Sequence, residues 1–333
     1  KKIFYTGIFY CIFEYLLIGL LLTPLNYIFI SLIYFDNSWK YFVLLSILTL
    51  LEIFLLKLRN WDRLKIVVYI PLITLVVIIL DLIFNLNMMS DSLLGYSSVI
   101  GARYYGIGNE YMGILVGAVL TFSTGIIEIN DNFRKKNIDY LILLFFLIIT
   151  LIIGVGNFGA NFGGTITMLA ASILTFLYLN KYKLKLKSYI YILIFFSLII
   201  IGIMYFDYKG WFGPSSHIGK FLDYLFSGDF KIIFNIIVRK AKMNIKLLRW
   251  TIWTKVLLGF ISYLIFIFFH PRGKIRVFFS HYPYLSGGFY GGLIASLLTM
   301  LVNDSGVVAS ATILFYPLFS FLYLLPDLIN NSD

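Results

Sequence analysis

Apolar stretches long enough to cross a bilayer recur along this entire chain, and that recurrence leaves few folds open to it. A span needs roughly 20 apolar residues, because the hydrocarbon core is about 30 Å thick. About ten can be read, at 16–35, 41–57, 66–84, 111–129, 141–156, 162–179, 189–206, 251–269, 283–302 and 307–325, with 3–15 as a lead-in or part of the first. Of 333 residues, 60% are hydrophobic and 13% charged, about half the charge share of soluble domains. The expected fold is an all-α integral membrane protein, a single polytopic domain over 1–333 with about ten transmembrane helices.

The net charge of +11 is not a nucleic-acid signature, because most lysines and arginines sit in short links between apolar runs. Lys57, Arg59, Arg63 and Lys65 occupy one link; Arg134, Lys135 and Lys136 a second; Lys181, Lys183, Lys185 and Lys187 a third; Arg272, Lys274 and Arg276 a fourth. With ten spans, all four links and both termini fall on one side, which the positive-inside rule makes cytoplasmic. The expected location is a bacterial plasma (inner) membrane. The chain begins Lys1-Lys2 without an initiator methionine, so a preceding piece is expected. Its single cysteine, Cys11, excludes an intrachain disulfide.

The remaining connections then face outward and carry the polar groups. Gly101-Ala-Arg-Tyr-Tyr-Gly-Ile-Gly-Asn-Glu110 and Gly156-Asn-Phe-Gly-Ala-Asn-Phe-Gly-Gly164 are glycine-rich and abut spans. Charge, amides and irregular backbone at that depth are costly unless they line a cavity or a site. Arg103 is a candidate to grip a phosphate or carboxylate bidentately; the competing reading is an ion pair with Glu110 or Asp81. Asn109 is a candidate N-cap of the next helix and a substrate contact. Asn157 and Asn161 are candidate substrate contacts on a broken backbone, against close packing of small residues as the alternative. Asn303-Asp-Ser-Gly306 reads as a tight turn in which Asp304 caps the last span, or serves as a general base or cation ligand. Gly287-Gly-Phe-Tyr-Gly-Gly292 predicts close helix contact.

The outward loop 206–250 is long enough to hold structure of its own. From Phe230 onward, Lys231, Asn235, Arg239, Lys242, Lys246 and Arg249 recur at three- and four-residue intervals, which predicts an amphipathic interfacial helix. Lys242, Lys246 and Arg249 are candidate phosphate ligands, and anchoring to anionic head groups is the alternative. His217 in the same loop is a candidate base. Glu110 is a second. Glu14, Glu52 and Asp81 lie in or beside spans, where proton coupling and interhelical hydrogen bonding compete as explanations. No ligand spacing for a metal is present, and no cofactor is expected.

The stretch Arg103-Tyr-Tyr-Gly-Ile-Gly-Asn-Glu-Tyr-Met-Gly-Ile-Leu resembles a segment of bacterial O-antigen ligase and polymerase-like membrane proteins. Leu248-Arg-Trp-Thr-Ile-Trp253 resembles a second element of that family, and His281-Tyr-Pro-Tyr-Leu285 is the counterpart of a third. Tyr111 stands where the family motif has an asparagine. The resemblance implies a polyprenyl-diphosphate-linked glycan donor, with Arg103 and Arg249 on the diphosphate and a loop histidine as base. The expected function is therefore handling of an anionic lipid-linked phosphate or glycan, with glycosyl transfer in cell-surface polymer assembly. The alternative is a secondary transporter or lipid flippase. Expected partners are membrane lipids and that substrate, with a membrane-protein partner or a second copy of the chain also open, and no nucleic acid.

Overall fold

The computed structural model describes residues 2–95, 106–130, 138–180, 186–211, 224, 226–269 and 273–330. Among them there is no strand. The helices are α1 (Lys2–Ile30), α2 (Ser38–Leu58), α3 (Arg63–Phe84), the single-turn α4 (Met88–Asp91), α5 (Asn109–Ile129), α6 (Asp139–Gly154), α7 (Phe162–Leu179) and α8 (Leu186–Tyr208). They continue as α9 (Phe230–Trp250), α10 (Ile252–Phe269), the short α11 (Lys274–His281), α12 (Pro283–Val302), α13 (Gly306–Ile313) and α14 (Phe315–Asn330).

Among the described residues, seven segments are long and apolar enough to cross a bilayer: Phe9–Ile30, Ser38–Leu58, Arg63–Phe84, Asn109–Ile129, Phe162–Leu179, Pro283–Val302 and Gly306–Pro326. Tyr140–Gly154, Ile194–Tyr208 and Ile252–Ser262 are shorter apolar helices. The first span differs from its sequence boundary. The helix stops at Ile30, and 31–35 form a turn in which Tyr34 is 93% exposed.

Helix α5 is the axis of the bundle. Its residues from Tyr111 through Leu120 are all buried, and α3, α12 and α13 pack around it. A helix apolar on every side needs such enclosure. Helix α2 is the opposite case: it rests on α1 and presents Phe42, Ile47, Leu50, Phe54 and Leu58 outward. A row of that kind suits lipid and not water. Trp39, Trp211 and Trp250 are 73%, 70% and 82% exposed, as expected of rings at a membrane interface.

Close contact at the glycine run is observed. A Cβ on Gly288 would lie 2.8 Å from Leu120 O and one on Gly291 3.3 Å from Ala171 O, so α12 presses its backbone toward α5 and α7 together.

The two ends of the bundle differ in construction. At the end carrying the basic link 59–62, Glu14 pairs with Lys57 at 2.6 Å and Arg63 at 3.1 Å. Arg63 also donates to Tyr323 O at 3.2 Å and to Tyr10 Oη, and stacks over both tyrosine rings. At the far end of α5, the carboxylate of Glu128 accepts the amides of Tyr284 (2.5 Å) and Leu285 (3.2 Å) and caps α12. The opposite end carries the longer connections, and the candidate residues gather there.

Candidate functional site

Glycine and asparagine set the local backbone of this end. After α6, the amides of Gly159 and Asn161 fold back onto Ile152 O and Ile153 O, both at 2.9 Å, in a tight loop that holds Ala160 at φ +47°. Asn161 is in the extended region, and its Oδ1 accepts from Gly164 N at 2.9 Å, which starts α7. The other glycine-rich stretch crosses this loop: Ile107 N donates to Gly159 O at 2.8 Å. Gly106 sits at φ +77°, where a Cβ would strike the same carbonyl, so the crossing requires glycine.

Asn161 fastens the crossing. It is 1% exposed, and its Nδ2 donates to Ile107 O (3.2 Å) and Asn109 Oδ1 (3.1 Å). All its side-chain capacity for donation is used, so Asn161 builds the site. Asn109 is not the N-cap of α5; Gly108 is, and Asn109 turns its oxygen to Asn161 in the first helical residue. Glu110 follows, half-buried, in the same first turn. Asn157 is exposed on the loop.

The turn 303–305 meets the same region. Asn303 is 6% exposed, and its side chain lies against Gly163, where a Cβ would be 3.0 Å from Nδ2. Asn303 Oδ1 accepts from Asp304 N at 3.1 Å, which fixes the orientation of the amide. The Nδ2 group has no hydrogen-bond partner. Asp304 does not cap the following helix. It pairs with Lys240 of α9 at 3.5 Å, and the amide of Gly306 is capped by Asn244 Oδ1 at 2.9 Å.

Helix α9 is therefore latched to this turn. Asn244 Nδ2 donates to Met300 O (3.0 Å) and Asn303 O (2.9 Å), and Lys240 Nζ donates to Val302 O (3.1 Å). Lys242 and Lys246 are each two residues from Asn244, about half a turn round the helix, so they point away from the latch. A groove of about 420 Å³ runs along that side, lined among the described residues by Asn235, Val238, Arg239, Lys242, Met243 and Lys246. Lys242, Lys246 and Arg249 are exposed, and no carboxylate pairs with them or with Arg239 among the described residues.

The structure thus brings Asn109, Glu110, Asn161 and Asp304 to one end with α9. Arg103 and His217 lie outside the described residues. Of the acids in or beside spans, Glu14 is the counter-ion of Lys57 and Arg63, and Asp81 accepts the amides of Met88 (3.1 Å) and Met89 (2.8 Å). Glu52 accepts from Asn26 at 2.8 Å, which ties α2 to α1. His281-Tyr-Pro-Tyr-Leu285 lies at the start of α12, beside Glu128 and at the opposite end of the bundle. Sequence reasoning passed over Lys240 and Asn244. Their signal was a polar pair four residues apart, on the face of α9 away from its cationic stripe.

Among the described residues, no three His, Cys, Asp or Glu side chains lie close enough to hold a metal ion. No protein-family model, curated protein or solved structure matches the chain.

Proposed function

We propose that this chain crosses a bacterial plasma membrane ten times, with both termini cytoplasmic. Its latched end faces outward and handles an anionic, lipid-linked phosphate or glycan. One observation carries the reading: the crossing of 106–109 over 159–161, the turn at 303–305 and the cationic helix α9 meet at a single end. Polar backbone of this kind is tolerated at membrane depth where protein encloses it or a cavity needs it.

In the glycosyl-transfer form of the proposal, an acceptor hydroxyl attacks the anomeric carbon of the donor. The bond from that carbon to the diphosphate oxygen breaks, polyprenyl diphosphate leaves, and the hydroxyl proton passes to a base. Glu110, Asp304 and His217 are the candidates for that base, Arg103 with Lys242, Lys246 and Arg249 for holding the diphosphate, and Asn157 for contacting the sugar. The resemblance of 103–115 to O-antigen ligase and polymerase-like proteins supports the same reaction class. Lipid mass spectrometry on the purified chain tests the reading. A co-isolated polyprenyl phosphate is expected, and its absence from wild-type protein, together with no binding of added polyprenyl diphosphate, overturns it.

A second reading, a transporter or lipid flippase, is favoured by the unwound crossing at Gly106 and Ala160, which resembles broken-helix sites between spans. Cysteine probes at 157 and 304 separate the two. Labelling from outside alone fits an outer-face enzyme, and labelling from both sides of the membrane fits transport.

A further inference from the structure

The first turn of α7 holds more hydrogen-bond donors than the fold uses. Asn161 Oδ1 takes the amide of Gly164, and Thr165 N donates to Asn161 O at 2.9 Å, which leaves the amides of Phe162 and Gly163. Neither donates to a described group. Amides at a helix start face a partial positive charge and receive anionic oxygen readily. A second feature points into the same turn. Asn303, 6% exposed, lies against Gly163 with its Nδ2 unpartnered, while Oδ1 is held by Asp304 N. The bond to an N–H group identifies the oxygen, so the unspent atom is the donor. A buried donor without an acceptor is costly, and native proteins keep few of them.

We infer that Phe162 N–H, Gly163 N–H and Asn303 Nδ2 form an anion subsite for a phosphoryl oxygen. This rests on the reading above and deepens it: the phosphate is gripped inside the bundle at α7, with the α9 cations as a separate outer contact. Glycine at 163 has a reason here, since any Cβ would push the Asn303 amide off the turn. The neighbouring acids leave room for an anion. Asp304 is paired with Lys240, and Glu110 sits in the first turn of α5, where a helix start favours it.

The test uses the full chain in phosphatidylcholine nanodiscs, titrated with inorganic pyrophosphate and, separately, with polyprenyl diphosphate in the disc. Asn303→Asp keeps an oxygen to hold Asp304 N but replaces the donor with a negative charge that also repels an anion, so it is read beside Asn303→Ala, which removes the donor without adding charge. Asn303→Ala gives up the Asp304 N contact as well and is the variant that decides, since it changes no charge. Either variant is expected to weaken binding about tenfold, a charge-assisted hydrogen bond being worth roughly that factor. Thermal unfolding of the empty protein should change little for Asn303→Ala, which deletes a donor that has no acceptor in the fold. A structural role would lower it and leave affinity alone.

Pyrophosphate binding in its own right marks a free anion as the ligand, and binding of the lipid form alone marks a headgroup. Unaltered affinity in both Asn303 variants, with loss in Lys242→Gln/Lys246→Gln, overturns the subsite and leaves the functional reading intact. Wild-type protein that binds neither probe overturns both.

Discussion

Cations occur at both ends of this bundle, and the contrast between them separates structure from function. At the end carrying 59–62, Arg63 is 15% exposed and surrounded: Glu14 at 3.1 Å, the rings of Tyr10 and Tyr323, and the Tyr323 carbonyl. Lys57 shares the same carboxylate at 2.6 Å, and Lys65 pairs with Asp62 at 2.9 Å. On α9, only Lys240 has an acid partner; Lys231, Arg239, Lys242, Lys246 and Arg249 have none among the described residues. Lys57, Arg63 and Lys65 are answered within the fold, while Arg59 of the same link has no acid partner among the described residues. The α9 stripe over its groove has no such partner, and in the function we propose it meets an anion from outside the fold.

The largest break in this comparison is expected at Glu14. Glu14→Gln removes the carboxylate that Arg63 and Lys57 share, in a site where Glu14 and Arg63 are only 12–15% exposed, and stability should fall by about 3 kcal/mol. Equilibrium unfolding in micelles measures it. A loss below about 1 kcal/mol, the range of exposed pairs, would remove the distinction between the two ends. Next comes Asn161→Ala, which deletes a helix cap and the amide that donates to Ile107 O and Asn109 Oδ1, for about 2 kcal/mol. Asn157→Ala, on the exposed side of the same loop, should stay within about 0.5 kcal/mol by the same measurement.

That asymmetry between two asparagines marks how far the sequence could be read. Among the described residues, hydropathy located six of the seven long apolar helices within a few residues, and three- and four-residue spacing placed α9 from Phe230. It overran α1, because 31–35 are as apolar as a span although they form the turn after Ile30. The glycine-rich stretches announced broken backbone, but Asn157 and Asn161 look alike in sequence. What distinguishes them is that α5 and α7 stand side by side, 52 residues apart in the chain at the Asn161–Asn109 bond. The same holds for Asp304 and Asn244. A side chain next to a helix start is the natural cap by proximity, yet Asn244, 62 residues away, caps Gly306 because α9 lies across the turn.

Asn244→Ala sharpens the comparison by detaching α9 without touching its cations. Three hydrogen bonds are lost, to Met300 O, Asn303 O and Gly306 N, at about 1.5 kcal/mol. The cost should appear locally. Hydrogen exchange in 230–250 and 303–309 should accelerate, while α3 and α5 keep their protection. Uniform acceleration through the bundle would mean that the latch is part of the core and not a contact made upon it.

The smallest stability effect should come from the stripe, and it is the most informative for that reason. Arg239→Gln/Lys242→Gln/Lys246→Gln removes three charges that no described carboxylate answers, so unfolding should shift by less than about 0.5 kcal/mol. Binding should respond instead. Wild-type protein is expected to hold a diphosphate-headed lipid with an affinity that falls as salt rises, since exposed charges are screened within about 8 Å at physiological ionic strength. The triple variant should bind more weakly and lose most of that salt dependence. If the variant were destabilised as strongly as Glu14→Gln, the stripe would be a structural cluster like the one around Arg63, and the two ends would differ in position alone.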